Sequence, residues 1–156
     1  MSIEFDVTQR FSAPPERVFA GLTDLDAARE WMQGFIRLER LGNVAAGPGM
    51  RWRETRKMFG REATEEFEVT TFDPPRALGL RVDGTKGSSK RGEYRFDYRL
   101  APDGDGTVVD MHGSISGMPK MFSWLSKLLA GPFRKACARD LASLAEHLER
   151  TGPAAV

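Results

Sequence analysis

Cysteine is almost missing from this chain, with Cys137 the single one in 156 residues. An internal disulfide is therefore excluded. Histidine is nearly as scarce: His112 and His147 have no ligand spacing with each other or with Cys137, so neither a metal nor any other cofactor is expected. Charge of one sign is also lacking, because 23 basic and 22 acidic residues are interspersed to a net +1, unlike the basic stripe of a nucleic-acid binder. Long apolar runs are absent. The longest, Met121 to Leu129, is broken by Ser123, Ser126 and Lys127 and falls short of a membrane span, so no stable insertion is expected. Met1 to Asp6 lacks the cationic and apolar regions of a signal peptide, which makes the cytoplasm the default location.

What the chain does have is concentrated between Gly92 and Arg150. Tyr94, Phe96, Tyr98 and Leu100 alternate with Glu93, Arg95, Asp97 and Arg99, and beyond the Asp103-Gly104-Asp105-Gly106 turn Val109, Met111 and Ile115 continue the apolar side. That is the period of strands with one dry face. A helix over about Pro119 to Arg150 follows, with a stripe of Met121, Leu125, Leu128, Phe133, Cys137, Leu141, Leu144 and Leu148 to cover that face. Pro132 is expected to kink it near Gly131. Upstream, an opening strand around Phe5 to Gln9 ends at Ser12-Ala13-Pro14-Pro15. Two short helices follow, through Glu16 to Leu22 and, capped by Asp24, through Ala27 to Trp31. Further strands are expected near Phe35 to Leu41, Gly49 to Lys57, Arg61 to Phe72, Arg76 to Val82, Lys90 to Ala101 and Thr107 to Ser116.

Charges register one hairpin. With its turn at Phe59-Gly60, Arg53 lies opposite Glu66, Arg51 opposite Glu68 and Lys57 opposite Glu62, an outer face of complementary pairs. The inner face then sets Trp52 against Phe67, Arg56 against Ala63 and Glu54 against Glu65. Facing carboxylates break the rule of the pattern. Two such groups can share a proton and serve as acid and base, with Arg56 placed to steady Glu65, and would suit enolisation or dehydration of a carbonyl compound. The other reading is a hairpin that outruns the domain body, with its nominal inner face in water; nearness to the turn weighs toward that reading.

The remaining candidates are simpler. His112 shares parity with Asp110 and Ser114 and is expected in solvent, as is His147; Cys137 lies in the apolar stripe and reads as a small buried hydrophobe. The Gly84 to Lys90 segment fails the spacing of a phosphate-binding loop and reads as a flexible hairpin loop near a cavity mouth. Trp52, Phe67, Tyr94, Phe96, Tyr98, Met111, Met121, Leu125 and Phe133 are the candidate ligand-binding residues; periodicity alone fits an ordinary core as well, and favours it. Apolar residues between Gly117 and Leu129 exceed one helix face. The surplus, Phe122 and Leu129 above all, reads as a lid or a homodimer contact ahead of a transient membrane contact.

The chain resembles the START and birch-pollen-allergen superfamily (SRPBCC), in its bacterial polyketide cyclase/dehydrase-like branch. Ser12-Ala13-Pro14-Pro15-Glu16-Arg17-Val18-Phe19, Leu22-Thr23-Asp24, Trp31, Gly47-Pro48-Gly49-Met50-Arg51-Trp52 and Phe72-Asp73-Pro74-Pro75-Arg76 carry the likeness, together with the closing helix. The resemblance spans Phe5 to Leu148. It implies an α+β helix-grip fold: a curved antiparallel sheet of about seven strands around a long C-terminal helix, with two short helices after the first strand. On this reading residues 1–156 form one helix-grip domain, and an apolar cavity of several hundred Å3 lies between sheet and helix. Superfamily members include lipid carriers, hormone receptors, aromatases and cyclases, and chaperone activators, so fold does not settle function. No catalytic motif of the aromatase/cyclase members carries over residue by residue. The leading expectation is binding or transport of a hydrophobic, lipid-like or polyketide-like molecule. The alternatives are a polyketide cyclase or dehydratase using Glu54, Glu65 and Arg56, and a protein-interaction module resembling the chaperone activators.

Overall fold

The computed structural model describes residues 2–152, with the side chains at 122, 123, 126 and 127 left aside. Strand β1 (Ile3–Phe11) leads into helices α1 (Pro15–Thr23) and α2 (Ala28–Trp31). Six strands follow: β2 (Phe35–Leu41), β3 (Arg51–Met58), β4 (Arg61–Asp73), β5 (Ala77–Asp83), β6 (Glu93–Asp103) and β7 (Gly106–Ser116). A 3-10 turn over Lys120–Leu125 then enters the long helix α3 (Ser126–Thr151). The seven strands form one antiparallel sheet in the order β1-β7-β6-β5-β4-β3-β2, so the chain's first strand pairs with its last and only β1 and β2 are edges.

The expected helix-grip architecture is therefore present, and its register follows from strand parity. Arg51 faces Glu68, Trp52 faces Phe67, Arg53 faces Glu66, Glu54 faces Glu65 and Lys57 faces Glu62, around the two-residue turn Phe59-Gly60. The ion pairs are less regular than the register. Arg51 reaches diagonally to Glu66 at 3.3 Å, where Arg53 joins it at 3.7 Å, while Glu68 is taken by Arg81 of β5 at 3.8 Å. Long side chains on a twisted outer face choose the nearest partner, not the one directly across.

Two boundaries differ from expectation. Asp24 does not cap α2: its Oδ1 accepts from the backbone N–H of Asp26 and Ala27, closing a turn before α2 begins at Ala28. The final helix starts at Ser126, not at Pro119, because the residues before it wind as a 3-10 turn; Pro132 lies within the α-helix, in its second turn.

The core sits where β1, β6 and β7 meet α1 and the C-terminal half of α3. Phe11, Val18, Val109, Met111 and Leu144 are among its fully buried side chains. Gly113 is required there, since a Cβ at that position would run into the ring of Phe5, its cross-strand partner. Arg17 of α1 donates to the Leu148 carbonyl at 2.6 Å and so satisfies an end group of α3.

Candidate functional site

The stretch of α3 from Phe133 to Leu141 leaves an unfilled space over the sheet. A cavity of about 310 Å3 lies there, walled by β3 to β6, by α1 and α2, and by Phe133, Ala136, Cys137, Asp140 and Leu141 of α3. Of the expected wall residues, Trp52, Phe67, Tyr94, Phe96, Tyr98 and Phe133 border it. Trp52 stacks on Phe67 with centroids 5.3 Å apart, and Phe67 is stacked with Phe96 at 6.5 Å, so the floor is a row of aromatic faces from the adjacent strands β3 and β4 and, across β5, from β6.

Three expected wall residues lie elsewhere. Met111 has the correct parity but sits on β7, under the packed half of α3, and is core at 1% exposure. Met121 and Leu125 belong to the 3-10 turn before α3, and neither borders the cavity; Met121 is 73% exposed. The helical period assumed for them does not hold before Ser126. Trp124 and Leu128 are exposed as well. The surplus residue Phe122 lies outside the described side chains, and Leu129 packs against the core.

The polar end of the cavity is built by the inner face of the β3–β4 hairpin. Glu54 is buried, 4% exposed, so the reading that puts this face in water is corrected. Helix α3 and the loop after β5 close over the hairpin, a contact that strand parity cannot reveal. Glu54 Oε2 accepts from Trp52 Nε1 at 3.2 Å, and Oε1 faces Arg56 at 3.6 Å. Arg56 was expected beside Glu65; it turns instead to Asp140 of α3 at 2.7 Å, and its Nε and NH2 donate to the Gln33 carbonyl at 3.0 and 2.7 Å. Burial pushes the Glu54 carboxyl above its usual range, with Arg56 opposing and Asp140 reinforcing the shift.

Glu65 completes this end from β4. Its Oε1 accepts from the backbone N–H of Ser89 at 2.9 Å and from the Ser89 hydroxyl, which in turn bonds Tyr94 Oη at 2.8 Å. The loop after β5 is thus tied down instead of flexible. Ser88 N–H donates to the Thr64 carbonyl, and the Ser88 hydroxyl accepts from Thr64 N–H, both within 2.8 Å. Gly87 permits this approach, because a Cβ there would collide with the Glu65 carboxylate and the Thr64 carbonyl.

Tyr98 borders the cavity, and burial pushes its phenol up, so it stays a neutral donor. Cys137 faces the same space with its thiol pushed up to about 12, chiefly by burial and then by Asp140, which keeps it protonated and unreactive. His112 lies on the outer face, bonded through Nδ1 to Asp6 at 2.8 Å. Among the described residues no group of three His, Cys, Asp or Glu side chains is arranged to hold a metal, and no helix is long and apolar enough to cross a membrane.

Phe59 is an exposed residue of the cavity wall. It occupies the first position of the two-residue turn with φ 51°, a left-handed conformation that favours Asn or Gly, and although 62% exposed it sets its ring edge-on to Phe133 of α3 at 5.5 Å. Sequence reasoning missed Phe59 and Asp140. Both had signals: a bulky aromatic where the turn wants Asn, and the only acid between Asp110 and Glu146, three residues from Cys137 on the inward stripe.

A sheet gripping one helix around an apolar hollow with a charged end defines a helix-grip protein of the START/birch-pollen-allergen class. The chain belongs to the polyketide cyclase / dehydrase and lipid transport family, whose model matches residues 2–149. Among solved structures it is similar to the Zhui aromatase/cyclase of a Streptomyces species, with a TM-score of 0.80, 15% identity, and 99% and 98% of the two chains covered. It is also similar to protein TTHA0849 of Thermus thermophilus, with a TM-score of 0.79, 20% identity, and 96% of this chain and 99% of that one covered. A START superfamily protein of Mycobacterium smegmatis has a TM-score of 0.77 at 15% identity, with 96% and 99% covered. At these identities the likeness is one of fold. No curated protein matches the sequence.

Proposed function

We propose that this protein binds a hydrophobic small molecule, lipid-like or polyketide-like, in the cavity between sheet and helix. One observation carries the reading: an aromatic-floored space of about 310 Å3 that ends on a small set of convergent polar groups, the usual composition of a small-ligand site. The family description, polyketide cyclase / dehydrase and lipid transport, supports it at the level of ligand class. Trp52, Phe67, Phe96 and Phe133 would hold the apolar body, with Tyr98, Glu54 and Glu65 at its polar end. Native mass spectrometry of the purified full chain tests this. An apolar molecule retained under native conditions and released on denaturation is the expected result; a bare chain that also takes up no apolar dye would count against it.

A second reading, a cyclase or dehydratase, is favoured by Glu54 specifically. A buried carboxyl held above its usual range, beside an apolar space and across from a second carboxylate, is an acid suited to protonating a ligand carbonyl while Glu65 serves as the base. On that reading Glu54→Gln and Glu65→Gln each lower turnover by about two to four orders of magnitude while leaving binding of an apolar dye in place. Turnover unchanged in both variants would remove it.

A further inference from the structure

The charges around the cavity are unequal. Asp24, Glu54, Glu65 and Asp140 border it, and Arg56 is the one basic side chain among the described residues that does. Asp24 is exposed to solvent at the edge, where its field is screened, but the other three surround the polar end. Arg56 cannot readily serve an incoming anion. Its Nε and NH2 are engaged by the Gln33 carbonyl and Asp140, and NH1 is turned to Glu54. A bound carboxylate would bring one more negative charge into a desolvated corner that already holds more acids than cations, where repulsion is far stronger than in water.

The groups left to meet a ligand have a matching character. Tyr98 Oη is a neutral donor on the cavity wall. The Glu65 carboxylate is an acceptor, and its Oε2 is buried without a partner among the described residues. Such a set suits a carbonyl, a hydroxyl or an ammonium group.

Building on the binding function above, we propose that the cavity selects by charge: it takes an apolar molecule whose polar end is uncharged or cationic, and it turns away carboxylates, ordinary fatty acids included. Glu65 and Asp140 are the specificity-determining residues, Glu65 by facing the ligand and Asp140 by occupying Arg56.

Three amphiphiles of equal chain length separate this from the binding reading itself: 1-decanol, decanoate and decylammonium, titrated at about pH 8, where the acid and the amine are both ionised, by displacement of the neutral dye Nile red. Saturable binding of 1-decanol, with decylammonium bound at least about tenfold more tightly than decanoate, is the expected result. Both charged ligands are desolvated on entry, so the gap between them reads the sign of the field. In Glu65→Gln the gap narrows through a gain in decanoate affinity. Decanoate bound as tightly as decylammonium, or a gap unmoved by Glu65→Gln in a variant that still binds 1-decanol, overturns the charge selection and leaves the binding function standing. Failure of all three molecules to bind overturns both.

Discussion

The two halves of α3 lie on the same sheet with opposite results. Toward its C-terminus Leu144 and Leu148 are buried in a core that includes Val109 and Met111, and neither borders the cavity. Toward its N-terminus the helix presents Phe133, Ala136, Cys137 and Asp140 across the strands from β3 to β6, and about 310 Å3 remains. The strands beneath are alike: Trp52, Phe67 and Phe96 alternate inward as regularly as Val109 and Met111. The hollow is therefore made by the helix, where Ala136, Cys137 and Asp140 fill less of the space than Leu144 and Leu148 do in the other half. Sheet parity sets which residues face inward, and the volume supplied from the opposite side decides whether they become core or cavity wall.

The strongest challenge to this comparison is a truncation in each half. Leu144→Ala removes a side chain with 0% exposure and should cost about 2–5 kcal/mol in chemical denaturation. Cys137→Ala, on the same inward stripe but bordering existing space, should cost less than about 1 kcal/mol, because little new void is created. Equal costs would mean the two halves are packed alike.

Next in size is the polar end. Arg56→Met leaves Glu54 and Asp140 without their shared cation in a site where the Arg56 side chain is 13% exposed, and should destabilise by about 3 kcal/mol. In the Glu54→Gln background the same change should cost less, a coupling that a double-mutant cycle measures. Full additivity would show that the three charges do not act together.

The sequence made the sheet side of this site legible and left the helix side hidden. Charge complementarity between Arg53 and Glu66 placed Glu54 opposite Glu65 correctly, because a register error of one residue would have put Trp52 and Phe67 in water. Whether that inner face is wet depends on α3 and on the loop after β5, which parity within the hairpin does not report, so the burial of Glu54 is not legible there. The partner of Arg56 is hidden for the same reason, since Asp140 is 84 residues distant. Periodicity points Met111, Met121 and Leu125 toward the wall but reports direction and not distance along the sheet, and a 3-10 turn interrupts the stripe before Ser126.

A smaller effect lies at the hairpin turn. Phe59→Asn relieves a left-handed phenylalanine at the turn and should stabilise by about 0.5–1 kcal/mol. It also removes the edge contact with Phe133, so a bound dye should dissociate faster in stopped-flow release. Slower or unchanged release would show that Phe59 has no part in retention.

The smallest effect lies on the outer face, away from both halves. The Asp6 hydrogen bond raises the His112 imidazolium above its ordinary value of 6.5, so its contribution is present below that value and is lost as pH rises through the elevated one. Solvent screening at 46% exposure limits it to less than about 0.5 kcal/mol. His112→Asn should flatten the stability profile in that window only, as followed by thermal unfolding across pH.

The most direct test of the cavity as a binding site fills it from the helix. Ala136 borders the open space on α3, and leucine there keeps a strong helix former while adding three carbons to the hollow. Nile red titrated into the unaltered protein should report one saturable site, and Ala136→Leu should lose at least about tenfold in affinity while unfolding at the same temperature or higher. Equal dye binding by the two proteins, or no saturable binding by the unaltered one, would contradict the account.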